Sequence, residues 1–192
     1  MLPLLLASSS VYRRELLARL RLPFSCSSPD IDESHQTDES AADLVKRLSL
    51  EKARALAHSH PDHLIIGSDQ VAVLNGRIIG KPHTFDKARQ QLLDASGASV
   101  SFLTGLTLLN SRTGQHQTDC VPFTVHMRTL SAEQIERYLH AEQPYDCAGS
   151  FKAEGLGVSL FQRTEGDDAT SLIGLPLIRL VDMLTHEGIS IP

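Results

Sequence analysis

An α/β fold is predicted by three features of the chain. Segments of strand character alternate with segments of helical period in the order strand, helix, strand, helix, hairpin, helix, long strands, helix, strand, helix. The 192 residues, 41% of them hydrophobic, suffice for one sizeable core in a single domain over 1–192, with room for two lobes. Two apolar, β-branched runs flank Asn75-Gly76, the dipeptide that signals a two-residue type I′ turn, so LIIGSDQVAVLNGRIIGKP reads as a hairpin. No repeat or low-complexity linker interrupts this order.

The opening MLPLLLASSS falls far short of the ~20 apolar residues a membrane span needs and lacks the basic start of a signal peptide. Leu4 to Ala7 therefore reads as a first, buried strand. Val11 to Leu20 follows as a helix with Leu16, Leu17 and Leu20 on one face. Residues 28–39, SPDIDESHQTDE, form an acidic loop that ends where Ser40 opens a capping box with Asp43, and the helix after it reaches His58. Thr84 caps a helix to Ala95 with Ala88, Leu92 and Leu93 inward. Ser99 to Asn110 and Gln115 to Met127 read as long strands joined across Ser111 to Gly114. Ser131 and Gln134 make a second capping box, for a helix to Ala141 with Ile135, Tyr138 and Leu139 inward. Gly155 to Thr164 reads as a strand. Pro176 starts the last helix, with Leu177, Leu180, Val181 and Leu184 at helical spacing. Gly166 to Ser171 fits both a segment that closes over a site and an ordinary turn.

Charge and composition narrow the function classes. A formal net charge of -5 argues against non-specific binding to nucleic acid or to an anionic membrane, so any polyanion must meet a local cluster of Lys and Arg. Cys26, Cys120 and Cys147 lie far apart without CxxC spacing, which points to reduced thiols in a cytoplasm rather than disulfides or zinc. Nine histidines are scattered, and no HExxH pair occurs.

The hairpin carries the first candidate site. With Asn75 and Gly76 as the loop, Leu74 pairs with Arg77, and counting outward brings Gln70 opposite Lys81 with Asp69 one step beyond. A carboxylate beside an ammonium at the carboxyl end of a buried strand suits work on a phosphate ester. An ordinary cross-strand ion pair fits the hairpin alone equally well. Ser8, Ser9 and Ser10 fall where a strand turns into a helix, followed by Arg13 and Arg14. Such a junction can cradle phosphate, although serine is also a good N-cap. The two arginines count for more, because cations near a helix N-terminus oppose its dipole. Lys52 falls inside the apolar stripe of Leu44, Leu48 and Ala55, with Val45 and Leu56 at its edge. It either snorkels to the rim or faces an anion, and beside Lys81 and Arg13 a shared anionic ligand is the more economical account. Glu33 and Asp69 are the best candidates for a divalent cation, since hard Mg²⁺ or Mn²⁺ takes carboxylate and phosphate oxygens together.

Together the motifs LASSSVYRRELL, IDE around Glu33, EKA around Lys52, IGSDQV, GKP at Lys81, SGASVSFLTG, YDCAGSFKAEGLG and IGLPL resemble the Maf family of nucleoside triphosphate pyrophosphatases over nearly the whole chain. The resemblance implies an elongated mixed β-sheet with flanking helices, two lobes around a cleft, similar to that of inosine triphosphate pyrophosphatases. It also implies a divalent metal (Mg, Mn or Co) and a homodimer. By motif position it makes Asp69 the catalytic base, Ser8, Arg13, Lys52 and Lys81 the phosphate ligands, and Glu33 a metal or water ligand.

Three positions set the branch. Tyr12, Gln70 and Glu154 stand where the dTTP- and UTP-cleaving branch carries arginine, threonine and glutamine, and the trio resembles the branch acting on 7-methyl-GTP. N7-methylation makes guanine cationic, and an aromatic face attracts a cation by about 0.5–2 kcal/mol. Glu154 suits the N1–H and N2–H donors of that base and repels the acceptor edge of a pyrimidine. Hydrolysis between the α- and β-phosphates is the implied reaction. The alternatives are a pyrophosphatase for dTTP, UTP or CTP, and a nucleotide-binding regulator of cell division.

Overall fold

The computed structural model describes residues 2–192. Along the chain run β1 (Leu4–Ala7), α1 (Val11–Ala18), β2 (Phe24–Ser27), α2 (Ala41–Ala57), β3 (Leu64–Leu74), β4 (Arg77–Ile79) and α3 (Phe85–Ala95). These are followed by β5 (Ser99–Asn110), β6 (His116–Met127), α4 (Ala132–Glu142), β7 (Phe161–Glu165), α5 (Ala169–Ile173) and α6 (Leu177–His186). The fold is mixed α/β. Seven strands make one sheet in the order β2-β1-β3-β5-β6-β7, with β4 paired to β3. β1 runs parallel to β2 and β3, whereas β3–β4 and β6–β7 are antiparallel.

The chain divides into two compact units. The first comprises residues up to Gln70, Leu103–Val121 and Asp168–Pro192, and the second Val71–Phe102 and Pro122–Asp167. In the first, strand alternation sends side chains to both sheet faces, and both are covered by helices, as a parallel sheet requires. Leu4, Leu6, Leu64, Ile66, Leu106 and Leu108 pack with Leu16 and Leu17 of α1 and with Leu177, Leu180, Met183 and Leu184 of α6. Leu5, Ala7, Ile65 and Leu109 pack with Ala53 and Leu56 of α2 on the other face. α1 is too short to persist alone in water. Burying Leu16 and Leu17 contributes about 3–6 kcal/mol and holds it in place.

Two glycines let α2 approach the sheet. A Cβ on Gly67 of β3 would stand 2.0 Å from Ser49 O, and one on Gly105 of β5 would stand 2.0 Å from Val45 O. A glycine inside a strand marks this kind of close backbone approach. Ser49 Oγ and Thr107 Oγ1, 2.9 Å apart, satisfy the polar groups in the same contact.

In the second unit α3 and α4 pack on one another, and Phe102, Phe151 and Phe161 form successive edge-to-face pairs. Ser131 and Gln134 complete the reciprocal capping box expected for α4. Ser40 forms only half of one: its Oγ accepts from Asp43 N–H, but the Asp43 carboxylate accepts from that same hydroxyl instead of reaching the Ser40 backbone. An aspartate is one methylene shorter than the glutamate of the full motif.

Several expectations are corrected. Gly155 to Thr164 is not one strand: Leu156–Leu160 form a 3₁₀ turn, and β7 starts at Phe161. The chain folds tightly there, because Gly155 and Gly157 both donate to Lys152 O. On α2 the buried face is Leu44, Val45, Leu48, Ser49, Lys52, Ala53 and Leu56, so Ala55 is exposed instead of central. Close contact through Ser49 rotates the inward face toward Ala53. Among the described residues, no helix is long and apolar enough to cross a membrane.

Candidate functional site

Asp69 lies inside β3, past Ile66, the last β3 residue in register with β1. The strand end expected at Asp69 is thus the end of the parallel pairing, and the backbone continues as a strand to Leu74. Outside the carboxyl ends of parallel strands is where α/β sheets leave room for ligands. Asp69 is 7% exposed and meets a cation that α2 supplies. Lys52, 6% exposed, places Nζ 2.6 Å from Asp69 Oδ1 and 2.8 Å from Glu33 Oε1. The inward lysine expected from helical spacing therefore faces two carboxylates, and the ion pair of Asp69 is with Lys52.

Glu33 comes from the loop between β2 and α2, with its side chain 58% exposed. Arg47 ties that loop to α2. Its Nε and Nη2 donate to the two carboxylate oxygens of Glu39 at 2.6 and 2.9 Å, Nη2 also donates to Ser34 O at 3.0 Å, and Nη1 reaches Glu51 Oε2 at 3.1 Å. This two-pronged pairing holds the Glu39 carboxyl down at about 2.

The junction between β1 and α1 is capped by its own serines. Ser10 is the N-cap, its Oγ accepting from Arg13 N–H, and the buried Ser8 Oγ accepts from Ser10 N–H at 3.1 Å. Arg13 Nε donates to Gly174 O at 2.8 Å. Burial lowers the pKa of the guanidinium, while the Asp69 and Glu33 carboxylates push it up, so Arg13 shares the electrostatic field of the Lys52 cluster. Arginine stays charged throughout. Ser8, Arg13, Lys52 and Asp69 thus belong to the carboxyl-end region of β1 and β3, with Glu33 added by a loop.

Gln70, beside Asp69, leaves the opposite strand face. Its Nε2 lies 2.7 Å from Ser171 O, 2.9 Å from Thr104 Oγ1 and 3.2 Å from Leu172 O. Ser68 Oγ donates to Gly174 O at 2.9 Å. Of Gly166 to Ser171, residues 169–171 open α5 with Asp168 as its cap; Ser171 O accepts from Gln70 and Thr104, and Gly174 O, just past the helix, accepts from Arg13 and Ser68.

Tyr12 stands half-buried on the first turn of α1. Lys81 and Glu154 belong to the second unit and are exposed. The hairpin register holds where Leu74 pairs with Arg77, but the ladder ends at Ala72–Ile79, and Lys81 follows in a loop instead of pairing with Gln70. Sequence reasoning did not single out Arg47, Ser68, Thr104 or Gly174. Ser68, Thr104 and Gly174 lie inside the motifs IGSDQV, SGASVSFLTG and IGLPL without a role of their own, and the strand glycines at 67 and 105 mark close packing.

Among the described residues no group of three His, Cys, Asp or Glu side chains could hold a metal ion. Glu33 and Asp69, converging on one ammonium, offer carboxylate oxygen only. That set fits Mg²⁺ or Mn²⁺, which are bound by one or two carboxylates together with substrate phosphates.

The family model described as Maf-like protein matches residues 3–187. A protein of Pseudomonas fluorescens named 7-methyl-GTP pyrophosphatase is 82% identical to this chain over 192 residues, covering 100% of both. A protein of Pseudomonas aeruginosa with the same name is 70% identical over 189 residues, 98% of each chain. The solved structure of a HAM1 protein from Coxiella burnetii is similar with a TM-score of 0.48 and 20% identity, covering 66% of this chain and 73% of that one.

Proposed function

This chain belongs to the Maf family, and we propose that it hydrolyses 7-methyl-GTP to 7-methyl-GMP and pyrophosphate. The observation that carries the proposal is the meeting of the buried Lys52 with the buried Asp69 and the exposed Glu33 in the field of Arg13. A lysine ammonium has three donors, and two are taken by these carboxylates, which leaves one for a phosphate oxygen. Lys52 and Arg13 neutralise charge developing on the leaving pyrophosphate, the electrostatic contribution that dominates phosphoryl transfer. Lys81 and the Ser8 hydroxyl are carried over from the motif as further phosphate ligands. Asp69 accepts the proton of the attacking water or orients it.

Glu33 and Asp69 would hold a divalent cation, whose charge would favour hydroxide over water near Asp69. Tyr12 offers an aromatic face to the cationic base, and Glu154 accepts from its N1–H and N2–H. Two near-full-length relatives bearing the name of this activity support the assignment. The free thiols of Cys26, Cys120 and Cys147 support a reducing, cytoplasmic setting, and homodimerisation is carried over from the resemblance.

The test is pyrophosphate release from 7-methyl-GTP, GTP, dTTP, UTP and CTP with Mg²⁺, Mn²⁺ or Co²⁺, and after chelation. The expected result is the highest kcat/KM for 7-methyl-GTP and loss of turnover on chelation. A preference for pyrimidines would assign the other branch, and binding without turnover at saturating metal would assign a regulator.

A further inference from the structure

The side-chain amide of Gln70 has its orientation dictated by what surrounds it. Ser171 O and Leu172 O, at 2.7 and 3.2 Å from Nε2, can only accept. Thr104 Oγ1 gives its single hydrogen to Ser171 O at 2.9 Å, so toward Gln70, at 2.9 Å, it too can only accept. Turning the amide over would set its oxygen against three acceptors. The NH₂ therefore faces inward, and Oε1, which has no hydrogen-bond partner among the described residues, is the atom left for a ligand. Thr104 and Ser171 are both fully buried, so water does not compete for these bonds.

We propose that Thr104 is a positioning residue for substrate choice: it locks the Gln70 amide so that Gln70 meets the nucleobase only as a hydrogen-bond acceptor. This rests on the proposed function and supplies a chemical reason for a glutamine at position 70. A fixed acceptor favours an N–H-rich purine edge or the cationic ring of an N7-methylated guanine. It disfavours the O2 and O4 acceptors of a pyrimidine and the N7 lone pair of unmodified guanine. Without the Thr104 acceptor only the Ser171 and Leu172 carbonyls hold the amide, the flipped orientation costs less, and the discrimination falls.

Thr104→Val removes the hydroxyl at nearly constant shape, and Thr104→Ser retains it. For each variant and the parent protein, kcat/KM is measured on 7-methyl-GTP, GTP and UTP. Exchange of the Gln70 side-chain amide protons is followed by ¹⁵N NMR without nucleotide. Thr104→Val is expected to lower the 7-methyl-GTP to UTP ratio about tenfold, as the loss of one oriented hydrogen bond would, with UTP turnover retained. Thr104→Ser is expected to keep the parent ratio. The amide protons exchange slowly in the parent and in Thr104→Ser, and measurably faster in Thr104→Val, where only the two carbonyl acceptors remain. An unchanged ratio in Thr104→Val, or an equal fall in Thr104→Ser, overturns the role in specificity. Fast exchange in the parent protein overturns the lock itself, whether or not Thr104→Val folds. A parent protein that shows no preference for 7-methyl-GTP yet protects these protons refutes both the proposed function and this role in substrate choice, while leaving the lock as a packing feature.

Discussion

Lys52 Nζ lies 2.6 Å from Asp69 Oδ1, a pair joined from helix to strand and almost wholly withdrawn from water. Desolvating two charges costs several kcal/mol each, and their attraction offsets this only in part, so a buried ion pair adds little net stability. Net stability alone therefore does not account for the pair, which fits the anion-binding role proposed for Lys52. Glu33, on the same ammonium and more than half exposed, shows the direction from which solvent reaches it.

Asp69→Asn keeps the side-chain shape and removes the negative charge. Turnover should fall by about two to four orders of magnitude, the usual contribution of a positioned acid or base. Nucleotide binding, followed by calorimetric titration, should persist. Undiminished pyrophosphate release would remove Asp69 from its proposed role.

Lys52→Met strands the Asp69 carboxylate at a buried position. The expected loss is about 3–5 kcal/mol, read from urea unfolding at neutral pH. Combining it with Asp69→Asn removes both charges and should recover much of that loss. If the double variant were as unstable as the sum of the single ones, packing by the lysine stem, not charge, would be its contribution.

Gly67→Ala drives a Cβ to 2.0 Å from Ser49 O, a backbone atom that cannot swing aside. Overpacking of this kind costs about 1–3 kcal/mol. Because α2 carries Lys52, kcat should fall along with Tm. Gly105→Ala, 2.0 Å from Val45 O on the same helix, should behave alike. A variant with both quantities unchanged would contradict the close seating of α2.

The Glu39–Arg47 pair sets a pH dependence. The Glu39 carboxyl titrates at about 2 in the fold, below its ordinary 4.5. A depressed folded value means that the unfolded chain binds the proton first. The contribution is complete above the unfolded value and lost as pH falls toward 2. The stability gap between the parent protein and Glu39→Gln, from urea unfolding at several pH values, should be widest near neutrality and close on acidification. A gap that widens in acid would invert the assignment.

Much of the fold is legible in the chain because its signals are local. The Asn75-Gly76 turn sets the Leu74–Arg77 pairing through backbone conformation alone. The inward lysine at 52 follows from helical spacing against leucines one and two turns away. The same spacing misplaced Ala55, since a helix face is centred by what it packs on, here the backbones at Gly67 and Gly105. The strand expected over Gly155 to Thr164 failed where glycines close a tight turn instead. The five residues of α5 are too few for a periodic signal, so the helix and its Asp168 cap emerged only in the folded chain.

Periods of two and 3.6, turn dipeptides and capping residues are read within a few positions, and they decided most of the elements, the hairpin pairing next to its turn and the residue types available for charge. Partner choice belongs to the folded molecule. Arg13 meets Gly174 across 161 positions and Gln70 meets Ser171 across 101. A donor buried by folding takes whichever acceptor the assembled sheet and helices bring within 3 Å or so, and no local pattern encodes that acceptor's identity.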